Sequence, residues 1–423
     1  MFKAVAGYYK DNERLRLLVK IIAVWLISRA VMLLMVPVMN LIADEPHQWL
    51  YYMNPWDAEW YKGIVENGYQ PPKSSGMASW AFFPLYPLVC MAVRLVTMGS
   101  IDTYAVGMTV SNICIIIAVY YAVKYADIEL DMKKYNKKTV EDIIIFLMLA
   151  GPFAVYYGAM YTEALFILCV ILCFYNSARH NYMAAGIAAA MASATRIVGC
   201  MLVFVLITYM FMETCAECRA KHNSEMKDNK EAGIIDKCML TEEAGILIAG
   251  NISLASVIRT FIKNVIKEPK KLVAIMISPL GIFIYMNYLR YFCGDSWAFY
   301  HVQRAWRTQK MFPVIGVLFK SCTGQLSAAS GVKTLNGIIL GWLCVITLML
   351  YAAMIRKKHY ALGIFGIIVL LIPLTSSVMS TLRFIMGSFV IYIGVAEIIA
   401  GCNRYVRYLS LIHISEPTRP LYI

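Results

Sequence analysis

The sequence predicts an all-α polytopic membrane protein of about ten transmembrane helices, with a large first outer loop that carries an interfacial helix. Three observations support this. Of 423 residues, 60% are hydrophobic and 15% charged, against about 45–50% and roughly 25% in an ordinary soluble domain; mean hydropathy is +0.62. The apolar residues gather into runs near the ~20 residues a spanning helix needs, without the ~10-residue alternation of barrel strands. Lys and Arg fall in segments that a single topology places together on one side. This composition excludes a soluble globular enzyme and a disordered chain. The formal charge of +13 is the excess expected on cytoplasmic loops, not a nucleic-acid footprint.

The first span, near 17–39, follows Lys3, Lys10, Arg14 and Arg16. Those cations place the N-terminus in the cytoplasm and mark the run as an anchor. In an outer loop, 40–104, the segment 40–80 carries Asp44, Glu45, Asp57, Glu59 and Glu66 against Lys62 and Lys73. Within it, 81–98 is ambiguous. If it crossed, Lys133, Lys134, Lys137 and Lys138 would lie outside; if it lies along the outer interface, they lie inside. Pro84 and Pro87 interrupt a helix start, Arg94 sits mid-run, and Trp80, Phe82, Phe83 and Tyr86 suit the headgroup level. The interfacial reading also brings the basic parts of 214–270, Arg356-Lys357-Lys358, and Arg404 with Arg407 inside. The remaining spans then fall near 105–125, 143–160, 161–178, 182–196, 197–213, 271–291, 334–355, 361–378 and 380–401, with both termini cytoplasmic. The pair covering 182–213 is short for two crossings. Segment 214–270 reads as a cytoplasmic linker with an amphipathic part near 246–266, and 292–333 as a second outer loop. The chain is thus one unit, 1–401, and a tail, 402–423, whose Ser410–Ile423 breaks in character and reads as non-native sequence.

Of twelve cysteines, Cys90, Cys114, Cys169, Cys173, Cys200 and Cys344 lie in apolar segments and act as small hydrophobes. Cys215 and Cys218 form a single CxxC with no second pair at zinc-site spacing. Cys293 and Cys322 both fall outside, where they either pair or stay free.

Chemistry-bearing residues collect on the outer side. Trp56, Asp57, Glu59, Trp60, Tyr61 and Tyr69 mix rings with acids beside a membrane. Such a set suits stacking of sugar faces while a carboxylate handles a hydroxyl proton; an interfacial aromatic belt with solvated acids accounts for it as well. A second outer cluster, Asp295 to Trp306 with His301 and Gln303, carries the same two readings. Glu163, Arg196 and Arg383 stand near the outer ends of spans, where a charge costs ~2.5–3.5 kcal/mol and so marks a partner or a polar cavity. The arginine fork suits phosphate oxygens, making Arg196 and Arg383 candidates for a lipid-phosphate headgroup. Arg29, deeper in the first span, fits a structural ion pair or a phosphate contact. Motifs for ATP hydrolysis, zinc proteolysis and serine esterase chemistry do not occur.

Trp56-Asp57-Ala58-x-Trp60-Tyr61, then Gly68-Tyr69 and Ala81-Phe82-Phe83-Pro84-Leu85-Tyr86-Pro87, closely resembles the PIG-V-type mannosyltransferases, polytopic glycosyltransferases of the GT-C class. Tyr161-Thr162-Glu163-Ala164-Leu165-Phe166, Ala194-Thr195-Arg196 with Gly199, Asp295 through Trp306 and Arg383-Phe384 extend the resemblance over about 17–401. It departs at Phe384, where Tyr is common, and in lacking a Pro soon after. The resemblance implies a GT-C-like bundle and transfer of a sugar, mannose by expectation, from a polyprenyl-phosphate donor to a lipid, glycan or protein acceptor, with inversion. It implies Asp57 as general base. Trp56, Glu59, Trp60, Tyr61, Glu163, Arg196, Asp295, Gln303, Trp306 and Arg383 are the expected substrate contacts. No metal site or cofactor is expected; a divalent cation fits the chemistry without support from the spacing of the acids. The expected location is a bacterial plasma membrane with the site facing outside, or the endoplasmic reticulum lumen in a eukaryote. The competing reading is a flippase for a polyprenyl-linked glycan, which predicts midplane charges and matching broken helices.

Overall fold

The computed structural model describes residues 12–42, 48–54, 56–72, 76–231, 253–305, 314–325, 334–375, 378 and 381–403. Trp306, Arg404, Arg407 and the segment Ser410–Ile423 lie outside the described residues. All regular structure among those described is helical. Four helices are long and apolar enough to cross a bilayer, and two bent pairs pass the same test together.

The long helices begin with α1 (Glu13–Ile42). It lies at the edge of the bundle, with Leu26, Ile27 and Leu34 54%, 65% and 71% exposed, the surface that lipid covers in a membrane. The segment after α1, expected as the first outer loop, folds into α2 (Trp49–Met53), α3 (Asp57–Asn67) and α4 (Leu85–Val96). α4 starts just after Pro84 and has Pro87 in its first turn, where a missing N–H costs nothing. Its 12 residues are too few for a crossing at 1.5 Å per residue. Tyr86 anchors it, wholly buried, with its hydroxyl on Gly107 O and Ser111 Oγ at 2.9 Å.

α5 (Thr103–Glu129) is capped by Asp102, whose carboxylate accepts from Tyr104 N and Ala105 N. It packs along α7 (Glu163–Ala178), which is buried on nearly every side and forms the centre of the bundle. A helix apolar all round belongs there. Between them α6 (Lys137–Leu149) ends at Ala150, and Gly151-Pro152 leads into a 3-10 turn, Pro152–Val155. The spans expected over 143–160 and 161–178 are therefore two shorter helices joined by an irregular segment, 150–162. Hydropathy could not register that break, because the segment stays apolar while Gly151 and Pro152 stop the helix.

α8 (Tyr182–Ser193) and α9 (Leu202–Glu231) are joined by a 3-10 turn, Ile197–Met201. α10 (Leu254–Lys267) lies against α9 and leads into α11 (Pro269–Ile277) and α12 (Leu280–Cys293). That pair bends by 42° at Pro279. Beyond α13 (Ala298–His301) and α14 (Val314–Cys322) come α15 (Thr334–Arg356) and α16 (Tyr360–Leu374). The last pair, α17 (Thr381–Gly387) and α18 (Val390–Ala400), bends by 70° at Phe389, whose φ is 57°. Cys293 and Cys322 are free thiols.

A polar cluster ties the other end of the bundle. His359 Nδ1 lies 2.8 Å from Glu129 Oε1. Glu129 also accepts from Tyr125 and Tyr209 at 3.0 and 3.2 Å. Lys357 and Tyr135 hold Glu397 at 3.0 and 3.1 Å.

Candidate active site

Asp57 opens α3. The turn into that helix is made at Trp56, whose φ of 49° costs a non-glycine residue about 1–3 kcal/mol. The helix is seated by Ala58, Tyr61, Ile64 and Val65, the buried face of its 3.6-residue period. The Asp57 backbone N–H donates to Tyr161 Oη at 3.2 Å. Its carboxylate stands at the helix N-terminus, where the peptide dipoles favour negative charge.

Glu163 opens α7 and Arg383 lies in the first turn of α17, while Arg196 follows the end of α8 in extended backbone (φ −154°, ψ 146°). The chain can double back after Arg196 because residue 199 is glycine. A Cβ there would lie 2.3 Å from the Ala192 carbonyl, closer than any side chain tolerates. Leu85 N–H donates to Ala194 O at 3.0 Å, fixing the start of α4 to the same helix end.

These helix ends converge on a four-member ion network. Arg383 Nη1 donates to Asp57 Oδ2 at 2.6 Å, and its Nε and Nη2 donate to Glu163 Oε1 at 2.8 and 2.6 Å. Arg196 Nη1 donates to the same oxygen at 2.9 Å. Glu163 Oε2 is buried without a hydrogen-bond partner. Side-chain exposure falls from 32% at Asp57 through 17% and 16% at the arginines to 0% at Glu163, so Glu163 is the floor and Asp57 the rim. Rings close the sides: Arg383 lies 5.2 Å from the Tyr161 centroid and 5.7 Å from that of Tyr156, and Arg196 5.7 Å from Phe166 and 5.4 Å from Phe384. Phe384, where the sequence departs from the expected Tyr, thus covers a guanidinium with a ring face, which needs no hydroxyl. Two carboxylates and two guanidiniums sum to zero charge, the condition under which such groups tolerate burial.

Residues 14–232, over half of the chain, match the profile of the mannosyltransferase (PIG-V) family. The chain belongs to the PIG-V mannosyltransferase family. Membership places it among the glycosyltransferases. No curated protein matches its sequence. Among solved structures it is similar to the archaeal oligosaccharyltransferase AglB from Archaeoglobus fulgidus, in complex with an inhibitory peptide and a dolichol-phosphate. The TM-score there is 0.47 at 11% identity, covering 98% of this chain and 55% of that one. It is also similar to an Archaeoglobus fulgidus oligosaccharyltransferase tethered to an acceptor peptide, with TM-score 0.45, 13% identity and the same coverage. The chain spans about half the length of these structures.

Around the network of this PIG-V family chain, the other expected contacts take separate places. Trp56 is 59% exposed at the rim. Trp60 stacks on Phe82 with centroids 5.6 Å apart. Tyr61 is only 5% exposed, edge-on to Phe82 and Tyr86 at 5.1 and 5.5 Å, so it seats α3 and presents no open ring face. Glu59 accepts from Tyr104 Oη. Asp295 and Gln303 lie in the segment after α12, and among the described residues Asp295 pairs with His301 and with none of the four network residues: its Oδ2 lies 2.6 Å from His301 Nδ1, which holds its carboxyl below the usual carboxylate range. Trp306 lies outside the described residues. Arg29 has no carboxylate partner among the described residues; its guanidinium donates to Asn112 Oδ1 at 2.8 Å and to Ala154 O at 3.0 Å.

Tyr161 and Tyr156 received no role from the sequence. Tyr161 opens the Tyr161–Phe166 stretch of the resemblance, two residues before Glu163, and that was its signal; Tyr156 had none. No group of three or more His, Cys, Asp or Glu side chains that could hold a metal occurs among the described residues.

Proposed function

We propose that the chain transfers a mannosyl residue from a polyprenyl-phosphate donor to an acceptor hydroxyl, with Asp57 as general base. The supporting observation is the fork of Arg383, which joins the rim carboxylate of Asp57 to the buried carboxylate of Glu163. The donor's phosphate offers oxygens of the kind Arg383 already grips on two carboxylates. When Nη1 shifts to a phosphate oxygen, Oδ2 of Asp57 is released to accept the acceptor's O–H. Glu163 keeps Nε and Nη2, so the guanidinium stays in place through the exchange.

The acceptor oxygen then attacks the anomeric carbon from the face opposite the phosphate. The C–O bond to phosphate breaks with its electron pair leaving on the polyprenyl phosphate, and the hydroxyl proton passes to Asp57. One displacement inverts the anomeric carbon. Arg383 and Arg196 stabilise the charge that builds on the departing phosphate, and the site holds both reactants in register. A location open to the extracytoplasmic side follows from the charge distribution of the loops. Mannose is the sugar suggested by the family; the acceptor, a lipid, glycan or protein, is open to direct identification.

The test is transfer of label from polyprenyl-phosphate [14C]mannose to a membrane lipid and glycan extract by the purified protein, beside Asp57→Asn. Wild type should form a labelled product, and turnover by the variant should fall by about 10²–10⁴, the worth of a general base. Equal rates would remove Asp57 from the mechanism. Absence of product from wild type, with the label instead crossing liposome bilayers, would replace transfer by translocation.

A further inference from the structure

Helix α10 divides into three sectors. Val257 and Val265, 3% and 8% exposed, turn inward; Phe261 meets Phe211 of α9 edge-on at 5.7 Å, and Asn264 donates to Glu217 at 2.8 Å. On the next sector Leu254, Ile258, Ile262 and Ile266 repeat every four residues and are 50%, 43%, 51% and 65% exposed. Beside that stripe Arg259, Lys263 and Lys267 also repeat every four residues, all exposed.

The helix cannot stand far from the bilayer. Glu268 alone separates it from α11, which with α12 forms a bent pair long and apolar enough to cross a bilayer. The junction is clamped by Lys271, 3% exposed, bound to Glu213 at 3.1 Å and Glu268 at 2.8 Å. Phe211 and Glu217, on which α10 rests, lie well down α9 from the Arg196 end. α10 therefore sits at the face opposite the Asp57 site.

We propose that α10 is an interfacial helix that binds anionic phospholipid headgroups at that face. Its Leu/Ile stripe enters the boundary between headgroups and acyl chains, and Arg259, Lys263 and Lys267 lie level with the phosphates. An apolar stripe bordered by a row of cations is the pattern of helices that lie in the plane of an anionic interface. The chemistry selects anionic lipid: a zwitterionic surface would use the stripe but has no net negative charge for the three cations to neutralise.

Hydrogen–deuterium exchange on the full chain in nanodiscs tests this, comparing phosphatidylcholine alone with phosphatidylcholine containing phosphatidylglycerol. Exchange over 254–267 should slow in the anionic discs by roughly fivefold per cation engaged. The triple variant Arg259→Gln, Lys263→Gln, Lys267→Gln should lose that difference, and because these side chains are exposed it should keep its exchange elsewhere. Ile258→Glu with Ile262→Glu should speed exchange of the helix in both lipids. Equal exchange in the two lipids would overturn the proposal. So would slow exchange that survives all five substitutions, since a protein surface would then cover the helix.

Discussion

At Glu163 one buried oxygen receives three donors from two arginines, so its charge is what allows Arg196 and Arg383 to approach each other. Glu163→Gln leaves two guanidiniums facing a neutral amide. Breaking a buried pair in this way costs about 3–5 kcal/mol, so thermal unfolding in detergent should show a large fall in Tm. Arg196→Gln leaves Arg383 to balance Glu163 and should lower Tm by less. At the other end of the bundle His359 supplies a pH response. Burial pulls its pKa down, but bonds to Glu129 and Glu397 outweigh this and lift it to about 9. The folded value exceeds the ~6.5 of free His, so the stabilisation is whole below that pH and is lost as pH rises through about 9. Tm should therefore decline between pH 7 and about 9.5, and His359→Gln should flatten the decline.

Helices that stop short make the site. α3 begins at Asp57, α7 begins at Glu163, α8 ends before Arg196 and α17 carries Arg383 in its first turn, so the charged residues at these ends meet below the rim. The breaks were only partly legible. Pro84 and Pro87 marked the short α4, and the boundary expected between 182–196 and 197–213 falls at the turn after Arg196. The left-handed Phe389 gave no signal, since nothing in its side chain favours that conformation. Gly199→Ala forces a Cβ into the Ala192 carbonyl and should cost about 1–3 kcal/mol, read as a lower Tm. Transfer activity should fall with it, because Arg196 loses its placement.

Across the whole molecule, the Asp57 network and the His359 cluster mark opposite ends of the bundle, and the loop charges predict opposite sides of the membrane. In a parent whose reactive cysteines are replaced by serine, Glu59→Cys should react with an impermeant maleimide on intact cells, and Lys357→Cys only after permeabilisation. Labelling of both from one side would overturn the topology. The count of crossings is a property of this scale too. Hydropathy suggested about ten, whereas the described helices resolve into four long ones, two bent pairs and several apolar helices too short to span alone.

The sequence by itself determined the membrane class, the family motif and the residue types at the site, because apolar runs, helix breakers and motif residues are local properties of the chain. Only the tertiary structure decided that Asp57 and Arg383, 326 positions apart, share an ion pair, and that Glu163 and Arg196 belong with them while Asp295 does not. The physical reason is that a lone charge in an apolar segment shows that a partner is needed without showing which one. The partner is chosen by where the packed helices end.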